Sequence, residues 1–139
     1  MSSYFERLAS VRDVLNLNRV NKEGVLVIAE KASILDAAQF LAKQDIGLAV
    51  VINANKTIVG VFSERDLVNG VAANAQSIFS MTVRELMNRD VLVCAPTDHL
   101  KSLASKMAHS HVRHVVVRDG ERCIGVVSAR DILLFAGDG

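Results

Sequence analysis

The sequence predicts a mixed α/β fold made of two copies of one unit, helix-strand-helix-strand-strand-helix. Three observations carry that expectation. Apolar residues switch repeatedly between a spacing of three or four, one face of a helix, and short continuous runs that mark strands. The heptapeptides "GVFSERD" from Gly60 and "GVVSARD" from Gly125 stand 65 positions apart. Between matched elements of the two halves, differences in length fall only in loops, where a duplicated fold tolerates them.

The elements follow in order. "SYFERLASVRDVLNL" places Phe5, Leu8, Val11 and Leu15 on one helical face, a leading helix over residues 4–16. "GVLVI" is a short buried strand, and "SILDAAQFLAKQ" returns to helical spacing through Ile34, Ala38, Leu41 and Ala42. "LAVVI" and "TIVGVF" are strands joined by the turn residues "NANK" into a hairpin, and "SERDLVNGVAA" begins a helix. The second half repeats this: "TVRELM" matches "SVRDVL", "DVLVCA" matches "GVLVIA", and "LKSLASKMA" carries Leu100, Ala104, Met107 and Ala108 at helical spacing. "HVVVR", the turn "DGE", the strand "RCIGVV" and the helix "SARDILLFA" complete it. The offset is 72 between Val11 and Val83, 66 between Ala38 and Ala104, and 65 between the glycines. The division expected is residues 1–73 for the first copy, 74–81 for a linker, and 82–139 for the second.

Composition narrows the function. Half of the 139 residues are hydrophobic, with five Phe, one Tyr and no Trp, so the core is aliphatic. Sixteen basic against fifteen acidic residues provide no global field for nucleic acid or an anionic membrane, and any anion site is local. Cys94 and Cys123 lie in apolar runs without CxxC spacing and read as reduced core thiols. No run approaches the ~18 apolar residues of a membrane span, and the expectation is a soluble cytoplasmic protein.

Ser followed three residues later by an acid is first of all a helix cap, and Ser10 with Asp13, Ser33 with Asp36, and Thr82 with Glu85 fit that pattern. Ser63 with Asp66 and Ser128 with Asp131 differ in context. Each follows a strand, with Gly three positions earlier and an Arg between Ser and Asp. A glycine admits close approach to the backbone, and a helix N-terminus offers free N–H groups. An Arg pairs with phosphate, and a carboxylate accepts from the vicinal hydroxyls of a ribose. One set of atoms can serve as cap and as ligand group.

Two tandem copies of this architecture, each with Gly-hydrophobic-x-Ser-x-x-Asp, resemble a pair of cystathionine beta-synthase (CBS) domains, a Bateman module, over residues 10–136. "VRHVVV" from Val112 is similar to the family's frequent basic pair ahead of its second strand. Val50 and Val116 stand where Pro is common, and Glu30 stands where the second copy has Pro96. The resemblance implies two βαββα repeats packed sheet to sheet about a pseudo-twofold axis, each with a leading helix. It also implies two clefts, each taking Ser and Asp from one copy and its base-facing strand and phosphate-facing residues from the other. The first would hold Ser63, Arg65, Asp66, Val91, Leu92, Arg113 and His114. The second, the weaker, would hold Ser128, Arg130, Asp131, Val25, Leu26, Gly47 and Leu48, because Gly47 and Leu48 replace the basic pair.

The function so implied is a non-catalytic sensor of an adenine nucleotide, AMP foremost, with ADP, ATP, NAD(H) and S-adenosylmethionine as further ligands of this class. It would act as a homodimer, reporting occupancy to an unidentified effector protein. The alternative is an interaction or dimerisation module without a nucleotide. Arg113 and His114 also read as a solvated strand edge. An enzyme is disfavoured, since the Ser candidates begin helices and no GxSxG elbow is present. His99, His109, His111 and His114 crowd together, but no Cys or carboxylate completes a metal spacing, and no metal is expected.

Overall fold

The structure, a computed structural model, describes residues 9–15 and 26–138. The expected leading helix falls partly outside them, as does Val25.

Apolar period and turn chemistry set the first set of elements. Strand β1 (Val27–Ala29) is followed by helix α2 (Ile34–Gln44), strands β2 (Leu48–Ile52) and β3 (Ile58–Ser63), and helix α3 (Glu64–Asn74); α1 (Val11–Leu15) precedes them. Helix α2 starts because the Ser33 hydroxyl accepts from the Asp36 N–H at 3.0 Å. It stops at Asp45, whose left-handed backbone (φ 54°) lets the Asp45 and Ile46 amides return to the carbonyls of the last turn. A parallel strand pair needs a crossover, and α2 supplies it: β1 pairs parallel with β2, and β2 antiparallel with β3. The "NANK" turn closes because the Asn53 side-chain oxygen accepts from the amides of Asn55 and Thr57 at 2.9 and 3.0 Å.

The second set repeats the first. Helix α4 (Val83–Leu86) leads to β4 (Val93–Cys94), α5 (Leu100–Ser110), β5 (His114–Asp119), β6 (Arg122–Ser128) and α6 (Ala129–Asp138). Its sheet has the same order, β4-β5-β6, with the same parallel and antiparallel pairings. Both hairpins carry an irregularity at the same place, one residue beyond the pairs Val51 with Gly60 and Val117 with Gly125. The hairpin turn of the second set is closed by Gly120 at φ 65°.

Contacts divide the chain differently from the repeats. One unit is residues 26–91, and the other is residues 1–25 with 92–139. The core of the first joins Ile28, Ala37, Leu41, Val51 and Phe62 to Ile78, Val83 and Met87, which belong to the linker and to α4. The core of the second joins Leu103, Met107, Val115, Val117 and Val127 to Ala9, Val11 and Val14 from the opposite end of the chain. Each leading segment therefore packs on the other copy. Residues 74–81 are no loose tether: Ala75–Ser80 form a 3-10 helix with Ile78 buried, entered through Ala75 at φ 49°, ψ −127°.

Of the caps expected, Ser10 forms one with Asp13, its N–H donating to Asp13 Oδ2 at 2.8 Å. Thr82 makes no side-chain cap bond. Its helix is a single turn, and Thr82 is instead held in a backbone bridge to Ser33.

Candidate functional site

The two motif helices begin alike, for the reason the Ser-x-x-Asp pattern supplies. In the unit of residues 26–91, Asp66 Oδ2 accepts from the Ser63 N–H at 2.9 Å and from its hydroxyl at 3.0 Å, while Ser63 Oγ accepts from the Asp66 N–H at 3.2 Å. In the other unit, Asp131 Oδ2 accepts from the Ser128 N–H at 2.9 Å, and Ser128 Oγ accepts from the Asp131 N–H at 3.0 Å. In each aspartate, every bond that the carboxylate accepts falls on the same oxygen, Oδ2. Oδ1 of Asp66 and of Asp131 takes no hydrogen bond from the described residues. Both carboxylates are half-buried, so the caps hold them fixed with an acceptor to spare.

The motif glycines are explained by packing. A Cβ on Gly60 would lie 2.6 Å from the Asn88 carbonyl oxygen, which accepts from the Val61 N–H at 2.9 Å. A Cβ on Gly125 would lie 2.6 Å from Leu15 Cδ2. Close approach to the backbone was the expected reason for these glycines, and in each unit the group that approaches comes from a leading segment.

Beside each motif stands a shoulder made where the middle strand begins. Register sets Leu48 opposite Ser63, and His114 opposite Ser128. The Gly47 carbonyl accepts from the Glu64 N–H at 2.9 Å, and the Arg113 carbonyl from the Ala129 N–H at 2.8 Å. Within a unit the structure thus brings Ser63 and Asp66 together with Gly47 and Leu48, and Ser128 and Asp131 together with Arg113 and His114. The clefts expected from the resemblance instead draw their parts from different units. Arg65, Arg130 and Arg113 are exposed. Val91 and Leu92 stand just ahead of β4 and are half-buried; the Leu92 carbonyl accepts from the Val116 N–H at 2.9 Å, as that of Leu26 does from Val50 at 3.2 Å.

The shoulders differ in charge. His114, at the exposed start of β5, has its pKa lowered from 6.5, first because the partial covering of its ring costs hydration; Asp131 opposes that shift and Arg113 adds to it. At Gly47 there is no side chain, and the Glu64 carboxylate lies beside the position, its Cδ 3.8 Å and Oε2 3.9 Å from where a Cβ would sit. Glu64 was not among the expected site residues. The signal for it was in the motifs themselves, which read "SER" in one copy and "SAR" in the other.

Other candidates separate from this site. His109 sits in the last turn of α5 with its Nδ1 2.8 Å from the Ser105 carbonyl oxygen, and His111 is the left-handed residue that ends the helix. Among the described residues no three His, Cys, Asp or Glu are grouped to hold a metal ion, and no helix is long and apolar enough to cross a membrane. Burial pushes the Cys94 thiol up to about 12.

Comparison with known proteins places this geometry. The family model for the CBS domain matches residues 10–73 and again 83–138. A CBS-domain containing protein from Agrobacterium tumefaciens has the same fold at TM-score 0.80 and 29% identity, covering 91% of this chain and 98% of that one. The CBS domain pair of protein MJ0100, solved in complex with 5′-methylthioadenosine and S-adenosyl-L-methionine, is 25% identical at TM-score 0.78, covering 93% of this chain and 100% of that one. Subunit gamma-3 of human 5′-AMP-activated protein kinase is 29% identical over 114 residues, 77% of this chain and 23% of the subunit. The chain spans less than half the length of each of the first curated relatives it matches.

Proposed function

The chain belongs to the CBS domain family as a tandem pair, and from that premise we propose that it is a non-catalytic regulatory module binding an adenine nucleotide, AMP before ATP, ADP or NAD(H). The observation that carries this reading is the division of labour at Asp66 and Asp131: one oxygen is fixed by the cap, and the other takes no hydrogen bond from the described residues. A carboxylate held in that way is pre-organised to accept from ribose hydroxyls, and the helix start beside it favours an anion. It is supported by a relative whose CBS pair was solved with two adenosine compounds.

In the first cleft the proposal joins Ser63, Arg65 and Asp66 with Val91, Leu92, Arg113 and His114, the last two facing phosphate. Adenine against the backbone at Val91 and Leu92 is favoured over guanine, whose edge inverts the donor and acceptor pattern. Binding reaches an effector only through a difference in affinity between two arrangements of the protein. Calorimetry with AMP and GMP tests the reading: tighter AMP binding is expected, and equal affinity removes the adenine claim. A panel of adenine nucleotides in thermal melts tests it independently, since a ligand at 100 times its Kd adds about 2.7 kcal/mol of stability.

A homodimer is part of the same proposal. Leu35, Val71 and Phe79, from α2, α3 and the 3-10 helix, are exposed at 49%, 48% and 71% and line an apolar groove of about 330 Å³. Surface of that kind favours the second reading, an interaction module, should every adenosine compound fail to bind.

A further inference from the structure

We propose that the two shoulders sort adenosine ligands by the charge at the 5′ position: the Arg113 shoulder takes a phosphate, and the Gly47 shoulder, with Glu64 over it, takes a neutral or cationic 5′ substituent such as a thioether or a sulfonium. The inference rests on the adenosine-binding reading and adds a specificity residue to it.

The shoulders occupy the same place in each unit. Leu48 and His114 hold the same register against the motif serines, and the Gly47 and Arg113 carbonyls receive the same bond from the first amide of the motif helix. Position therefore does not distinguish them. Arg65 and Arg130 do not distinguish them either, since each motif helix carries one. The difference lies in three substitutions, Gly47 for Arg113, Leu48 for His114 and Glu64 for Ala129, of which the first and last separate the shoulders by two elementary charges.

Glu64 is well placed to act. Its carboxylate lies within 3.9 Å of the point from which a side chain at residue 47 would start, the space that the Arg113 stem leaves from in the other unit. Among the described residues no cation pairs with it. A phosphate arriving there meets an uncompensated negative charge, while a sulfonium meets a counter-ion. Glu64 is exposed, so its effect is that of a solvent-screened pair, a shift of about two- to fivefold in affinity.

The test is calorimetry on the full chain with AMP, 5′-methylthioadenosine and S-adenosylmethionine, in an Asp66→Asn background that weakens the first cleft. The sulfonium and thioether compounds are expected to bind more tightly than AMP. Adding Glu64→Gln should lower the affinity for S-adenosylmethionine about two- to fivefold, leave the thioether unchanged and raise AMP. Glu64→Ala with Gly47→Arg, at a site where a Cβ meets only ordinary contacts, should make AMP the preferred ligand. If adenosine compounds bind and Glu64→Gln leaves their ratio unmoved, the charge sorting is wrong and the adenosine reading stands. If none binds the wild-type chain, both fall together.

Discussion

Replacing Asp66 by Asn separates a helix cap from a ligand group. The carboxylate accepts two bonds through Oδ2, from the Ser63 N–H at 2.9 Å and its hydroxyl at 3.0 Å. An Asn keeps one carbonyl oxygen for these, and Ser63 Oγ still accepts from the residue 66 N–H at the helix start. What the apo protein loses is a charge beside the helix N-terminus, about 0.3–1 kcal/mol, or roughly 1–5 °C of melting temperature for a chain of this size. A ribose diol loses a charged acceptor, about 1.5–3 kcal/mol, so AMP affinity should fall roughly 10- to 100-fold. Asp36→Asn is the control, because it removes a first-turn carboxylate from α2, a helix outside the motif that the Ser33 hydroxyl caps through the Asp36 N–H; it should melt slightly earlier and bind AMP as before. Differential scanning calorimetry of the apo proteins and isothermal titration with AMP give both numbers. An Asp66→Asn protein that melts far earlier yet binds AMP unchanged refutes the ligand role.

Three further outcomes test the packing. Gly60→Ala should cost about 1–3 kcal/mol in urea unfolding, and more than Gly125→Ala, because its new methyl meets a backbone carbonyl while the other meets the rotatable end of Leu15; equal costs would contradict the close approach of Asn88. Ala75→Gly should stabilise by about 1 kcal/mol, since its backbone lies in a region where a Cβ is strained; a loss of stability would mean that the strain is absent. Cys94 has a folded pKa raised to about 12, mainly by burial, so the unfolded chain gives up its proton first. Stability should therefore decline as pH rises from about 9 toward 12, by at most about 1.4 kcal/mol per unit from this group. Cys94→Ala should lessen that slope, and an unchanged slope rules it out.

Most elements could be read from apolar spacing, because period 3.6 and short strand runs are local signals. Val11 was legible on the apolar face of the leading helix, but not the copy that buries it, and the burial of Val14, Val83 and Met87 emerges only in the fold. "SVRDVL" and "TVRELM" carry the same pattern, so either sheet could accept either segment, and tertiary packing decided. Gly60 and Gly125 stood out as points of close approach, while Asn88 and Leu15 did not, since nothing local ties them to a strand dozens of residues away. Thr82 matched a capping box in sequence, yet a one-turn helix and the bridge to Ser33 left its hydroxyl unused. At the candidate site, Ser63, Asp66, Ser128 and Asp131 were legible because motif and cap coincide. Glu64 lies between motif positions, so the difference between "SER" and "SAR" marks it in the sequence without a role, and its nearness to Gly47 supplies one.

The exchange of leading segments bears on how such a chain arises from a single repeat. A half-length ancestor with one leading segment and one sheet would have had to lend that segment to a second molecule and borrow one in return, the reciprocity of a domain swap. Fusing two such genes end to end converts the loan into an internal exchange without moving an atom of either core. It also frees the copies to diverge, because a substitution no longer appears twice in the assembly. Arg113 against Gly47 and Ala129 against Glu64 are differences that a swapped pair of identical chains could never hold.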